Sequence, residues 1–108
     1  MKVHRIYADG VAINDTTGAL TGTTCLDALL VHVSAAPTTS EYFTVKVASA
    51  QSTAFDTVLY KLDLSAASTT DIVLTGADLG VPLVAGDALL TTYANTDANI
   101  IGVTYLLR

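Results

Sequence analysis

From Cys25 to Arg108 the chain runs as short alternating apolar and polar stretches separated by turn-forming clusters, a pattern that predicts an all-β sandwich or barrel. Glu41 to Ala48 alternates with Phe43, Val45 and Val47 on one side and Tyr42, Thr44 and Lys46 on the other. Thr57 to Leu64 sets Val58, Tyr60, Leu62 and Leu64 against Lys61 and Asp63, and Asp71 to Thr75 places Ile72 with Leu74. Ala88 to Ala94 precedes the cluster Asn95-Thr96-Asp97-Ala98-Asn99, which reads as the turn of a hairpin into the last strand. The predicted core is Phe43, Val45, Val47, Val58, Tyr60, Leu62, Ile72, Leu74, Leu90 and Val103. Ser65 to Thr70 reads as a loop, and Gly76-Ala77-Asp78-Leu79-Gly80 has room for no more than one helical turn.

Two strands depart from simple alternation. Leu26 to Ser34 is apolar on both faces through Leu29, Leu30, Val31 and Val33. In Ile100 to Leu107, Ile100, Gly102, Thr104 and Leu106 share one face while Ile101, Val103, Tyr105 and Leu107 share the other. One face of a small antiparallel sandwich ordinarily meets water, so a strand apolar on both implies that something covers the second face. Covering roughly 400 Å² of apolar surface is worth about 10 kcal/mol before association costs.

Residues 1–24 carry a weaker signal. Val3, Arg5 and Tyr7 alternate with His4, Ile6 and Ala8, neither set forming a clear core face, and Asp9-Gly10 and the Thr/Gly/Asn-rich stretch to Thr24 interrupt the pattern. The segment reads as an extended arm or edge strand that adds to its own sheet or to a neighbour's. Deleting its first twenty residues is then expected to leave the sandwich folded while weakening assembly. The expected organisation is an arm over 1–24 and a single antiparallel, jelly-roll-like β-sandwich of about seven or eight strands over 25–108.

Composition sharpens this picture. The 108 residues suffice for one domain, with 51% hydrophobic and only 14% charged residues against a usual charged share of about 25%. The net charge is −5, and the five cations Lys2, Arg5, Lys46, Lys61 and Arg108 are scattered, which argues against a nucleic-acid partner. Nine of the ten acids are Asp, mostly beside turn residues. Cys25 is the only cysteine, so an internal disulfide is ruled out. The start lacks the apolar core of a signal peptide and no stretch is long enough for a membrane helix, so the expectation is a protein made in a cytoplasm with no membrane partner.

Reactive constellations are missing. His4 and His32 lie in strands without the spacing of a zinc site. Asn95, Asp97 and Asn99 begin like a calcium loop, but Ile100 stands where glycine is needed and Leu106 where the bidentate glutamate belongs. Cys25 has no recognisable base, and the Gly-x-Ser-x-Gly elbow is lacking. Tyr42, Tyr60, Tyr93 and Tyr105 fall in strands where they could stack on sugars, yet packing with the hydroxyl at a wet edge fits them better. The sequence points to no enzyme, cofactor or metal.

The surplus of apolar faces points to assembly, with Val3, Ile6, Tyr7, Val11, Ile13, Leu29, Val31, Ile101, Tyr105 and Leu107 as candidate contacts and a second copy of the chain as the first partner. The low lysine content, the Ala/Thr richness and the closing run Gly86-Asp87-Ala88-Leu89-Leu90-Thr91-Thr92-Tyr93-Ala94-Asn95-Thr96-Asp97-Ala98-Asn99-Ile100-Ile101-Gly102-Val103-Thr104-Tyr105 give a texture that resembles the small β-sandwich virion proteins of tailed bacteriophages. These are the head decoration or cement proteins and related head-fibre and tail domains. The resemblance implies a non-enzymatic protein, commonly a homotrimer, synthesised in the host cytoplasm and seated on the capsid surface, where it reinforces contacts between major capsid subunits. The alternative is a carbohydrate- or ligand-binding sandwich.

Overall fold

Alternation does produce two antiparallel sheets packed face to face. The computed structural model describes residues 2–75 and 79–108. The strands are β1 (Lys2–Asp9), β2 (Ile13–Thr16), β3 (Thr24–Val33), β4 (Tyr42–Ala48), β5 (Thr57–Asp63), β6 (Asp71–Leu74), β7 (Val81–Leu83), β8 (Ala88–Tyr93) and β9 (Ile100–Leu107). One sheet has the order β1-β9-β3-β6, with the short β7 also on β3, and the other has β2-β8-β4-β5. With β7 set aside, the pairs β1 with β9, β2 with β8, β3 with β6 and β4 with β5 are those of a long hairpin rolled around a core, which is the jelly-roll arrangement. The fold is thus an all-β sandwich with nine strands among the described residues.

Residues 2–24 take the edge-strand reading and add to the chain's own sheets rather than to a neighbour's. β1 pairs with β9 along its whole length, from Lys2 opposite Leu107 to Asp9 opposite Ile100, and β2 pairs with β8. The ambiguous alternation of β1 resolves with Ile6 and Ala8 buried and Val3, Arg5, Tyr7 and Asp9 exposed. Ile6, Ala8, Ile13 and Leu20 join the core with Leu26, Leu29, Val31, Val33, Phe43, Val45, Val47, Leu83, Leu89, Tyr93, Ile101, Val103, Tyr105 and Leu107. Phe43 anchors the second sheet, its ring 6.3 Å from Tyr93 and 6.5 Å edge-on from Tyr60.

The expected hairpin over 88–107 is corrected by the topology. β8 and β9 lie in different sheets, so the Asn95–Asn99 segment carries the chain across the sandwich. A five-residue connection between neighbouring apolar strands looks the same in sequence whether the strands pair or face each other. Two core assignments fail by one residue of phase. In β5, Tyr60 faces Val45 but Val58 faces Lys46, so Leu59 is an extra residue that turns Val58 outward to 51% exposure. In β8, the inward Val45 and Val47 lie opposite Thr91 and Leu89, which leaves Leu90 on the outer side beside Lys46.

The expected loop after β5 begins with one helical turn, α1 (Leu64–Ala67). Asp63 caps it, accepting from the Ser65 amide at 3.0 Å and the Ser65 hydroxyl at 2.7 Å. The turn into β8 requires glycine, because Gly86 has φ +93° and a Cβ there would fall 2.8 Å from the Cβ of Ala50. The helical turn expected around Gly76–Gly80 falls largely on residues outside the described ones.

Because β1 and β2 carry part of the core, removing residues 1–20 should abolish the fold rather than merely loosen an assembly. The expected outcome is loss of the cooperative thermal transition and of the β-sheet circular dichroism. A truncated chain that melts cooperatively near the temperature of the full chain would show that these strands are dispensable.

Candidate functional site

The two outer faces differ in character. Across the outer face of the β2-β8-β4-β5 sheet run Asn14, Thr92, Thr44 and Lys61, and beside them Thr16, Leu90, Lys46 and Val58. Its largest aromatic, Tyr42, is covered by the Lys61 ammonium 4.3 Å from the ring centre, and Lys46 reaches Asp56 at 3.8 Å. Polar side chains predominate on that face, with Val58 and Tyr42 its exposed apolar members.

The outer face of the β1-β9-β3-β6 sheet is more apolar. One row across it holds Val3, Leu106 and Ala28, the next Arg5, Thr104, Leu30 and Val73, and the next Tyr7, Gly102, His32 and Asp71. Val3 is 49% exposed, Tyr7 72%, Val73 65% and Ile100 45%. A Cβ added at Gly102 would meet nothing within 4 Å, so the backbone there floors an open dimple between Tyr7 and His32. The charged members of the face sit toward its margins: Arg5 and Asp9 on β1, and His32 bonded to Asp71 at 2.6 Å. The His32 and Thr70 hydrogen bonds hold the Asp71 carboxyl below its usual range.

The candidate contacts divide along the same lines. Val3 and Tyr7 stand on this outer face, and Val11 is exposed in the turn after β1. Ile6, Ile13, Leu29, Val31, Ile101, Tyr105 and Leu107 are corrected to core positions, each 9% exposed or less within the chain's own sandwich. The two-faced strands β3 and β9 have one face inside, and alternation does not say which. The face left outside belongs to Ile100, Gly102, Thr104 and Leu106 on β9 and to Ala28 and Leu30 on β3. Val73, missed in the sequence, follows from the same parity once Ile72 is placed inside.

The densest chemistry bridges the sheets. His4 on β1 meets Asp15 on β2 at 2.9 Å, and its ring stacks on Tyr105 with centroids 6.2 Å apart. The Tyr105 hydroxyl, held by β9, is hydrogen-bonded to the Thr91 hydroxyl of β8. Burial pushes the Tyr105 phenol up to about 12, with the Asp15 charge adding to it, so it stays protonated and serves as a tether. Thr91 and Tyr105 are fully buried, while His4 and Asp15 at the rim remain partly exposed.

Elsewhere the carboxylates hold loops. Asp97 accepts from the Thr38 and Thr39 amides at 2.6 and 3.2 Å and from the Thr39 hydroxyl at 2.6 Å, which keeps it below its usual range. Glu41 accepts from the Thr96 amide and hydroxyl, both at 2.7 Å. The Ser40 and Ser65 hydroxyls bring Asp63 down to about 2. Asn95, at φ +52°, bonds to Val11 and Asn99 and fixes the crossing between β8 and β9. Among the described residues no group of three His, Cys, Asp or Glu side chains is placed to hold a metal ion, and no helix is long and apolar enough to cross a membrane. A shallow cleft of about 160 Å³ lies between Lys2, Leu20, Thr21, Thr23, Thr24 and Leu107, smaller than the usual volume of a ligand pocket.

No family model, no curated protein and no solved structure matches the chain.

The bridge between sheets has a measurable consequence. Tyr105→Phe should cost about 1–3 kcal/mol in urea unfolding by leaving the buried Thr91 hydroxyl without its partner. Adding Thr91→Val should recover much of that loss, because both polar groups are then gone. Fully additive losses in the double variant would contradict the tether.

Proposed function

We propose that the chain is a structural protein of a tailed-bacteriophage virion, a head decoration or cement protein that binds assembled major capsid subunits on the particle surface and acts by adhesion rather than catalysis. The observation that carries this reading is the contrast between the two outer faces. One sheet presents mainly threonines, asparagine and lysines, with Val58 and Tyr42 as its exposed apolar members, whereas the other presents Val3, Tyr7, Val73 and Ile100 around half-buried Leu30 and Leu106. A chain with several of its acids bonded to loops and an exposed apolar sheet face is suited to occupying a surface. The jelly-roll order is also found among viral capsid domains, and the likeness is one of architecture only. Association with further copies of the chain belongs to the same reading, three being the number that the resemblance implies.

Sugar binding is the competing use, since jelly rolls also serve as lectins. It rests on Tyr7, whose ring is exposed beside the open floor at Gly102, while Tyr42 already has Lys61 over its face.

The test is cosedimentation of the purified chain with virions or expanded heads of the phage whose genome carries the gene. Saturable binding is expected, and Val73→Glu should weaken it at least about tenfold, since an unpaired carboxylate would be desolvated in the contact. Failure to bind any particle, together with a glycan-array signal that Tyr7→Ala removes, would overturn the capsid reading in favour of the sugar one.

A further inference from the structure

A sheet edge exposes a row of backbone donors and acceptors, and folded proteins blunt it with short strands, prolines, bulges or covering segments. Three of the four sheet edges among the described residues are blunted. β2 has four residues, β5 is bulged at Leu59, and the edge opposite β1 consists of the four-residue β6 and the three-residue β7 with Pro82. β1 is different. It has eight residues with neither proline nor glycine, its register with β9 is unbroken, and it ends the sheet.

The phase of its hydrogen bonds is fixed by the turn that follows it. The Gly10 amide donates to the Asn99 carbonyl at 3.1 Å, so the even-numbered residues Lys2, His4, Ile6 and Ala8 bond to β9. The amides and carbonyls of Val3, Arg5, Tyr7 and Asp9 therefore aim at the open edge. The same four residues carry their side chains on the outer face, all exposed.

We propose that β1 pairs antiparallel with β1 of a second copy across a two-fold axis, with Tyr7 opposite its own symmetry mate and Arg5 opposite Asp9. A two-fold normal to the sheet keeps outer faces on one side, so odd residues must meet odd residues. Centring the axis on Arg5 sets guanidinium against guanidinium, which is unfavourable between directly opposed residues. Centring it on Ile6 sets Arg5 against Tyr7 and Asp9 against Val3, so the opposite charges meet only on the diagonal, where Arg5 is equally diagonal to its own mate. Centring it on Tyr7 places each Arg5 opposite an Asp9, and the three residue pairs so formed exchange two backbone hydrogen bonds each. Neither Arg5 nor Asp9 forms an ion pair within the chain among the described residues. Charge complementarity thus selects a second copy as the occupant and selects one register. Pairing fuses the two apolar outer faces into a single eight-strand face with the order β6-β3-β9-β1-β1-β9-β3-β6. The unit is two copies rather than the three implied by the resemblance, and it stands independently of capsid binding because it is read in solution without particles.

The experiment is the mass of the full chain by sedimentation equilibrium over micromolar concentrations. A monomer–dimer equilibrium is expected. Arg5→Asp and Asp9→Arg should each raise the dissociation constant about tenfold or more by opposing like charges twice. The double variant Arg5→Asp/Asp9→Arg should return it to near the starting value. Tyr7→Pro should abolish the dimer while leaving the circular dichroism of the monomer unchanged, because the amide it removes faces away from β9. A chain that stays monomeric, a trimer whose mass ignores the charge swaps, or a double variant that fails to recover would each overturn the proposal.

Discussion

The placement of β9 between β1 and β3 is the constraint on which the rest of the structure depends. Ile101, Val103, Tyr105 and Leu107 are at most 2% exposed and fill the centre of the core, so β9 must lie in the middle of its sheet with that face inward. Pairing on one side recruits β1, which brings Ile6 and Ala8 under the sandwich and His4 against Tyr105. Pairing on the other side recruits β3, whose bulge between Leu26 and Ala28 turns Asp27 out to meet Arg108 at 3.1 Å. The Tyr105–Thr91 hydrogen bond then ties β9 to β8 in the facing sheet. Core, inter-sheet tether and edge order thus follow from where one strand sits.

The outer consequences come from the same placement. A central strand with apolar residues on both faces transmits hydrophobicity to the outside, and its neighbours supply Val3, Leu30 and Val73 around Ile100 and Leu106. A strand that ends the sheet must also leave half its backbone groups unpaired. Here the apolar face and the open edge meet along β1, where Tyr7 belongs to both. An outer face and an edge of this kind together define an association surface that needs no reactive side chain.

Much of this was legible in alternation. The strand over Glu41–Ala48, with Phe43, Val45 and Val47 inside, and the two apolar faces of Ile100–Leu107 are visible to the eye because a strand has a period of two. What alternation cannot supply is which of two apolar faces turns inward, and so Ile101, Tyr105 and Leu107 were candidates for contact while Ile100 and Leu106 were not. Nor does it register an inserted residue: Leu59 shifts the phase of β5, and Val58 leaves the core. β1 was ambiguous for a third reason, since His4 occupies an inward position and its partner Asp15 lies on another strand in the other sheet. Partner choice between strands is nonlocal, which is why the Asn95–Asn99 crossing looked like a hairpin.

The central claim is that β1 keeps a regular, unprotected edge that becomes paired on association. Residue-resolved amide hydrogen exchange in dilute and concentrated solutions tests it most directly. The dilute chain should protect the amides of His4, Ile6 and Ala8 while Val3, Arg5, Tyr7 and Asp9 exchange freely, and concentration should slow the edge residues Arg5, Tyr7 and Asp9. Arg5, Tyr7 and Asp9 exchanging freely at every concentration, or already protected in the dilute monomer, would contradict it.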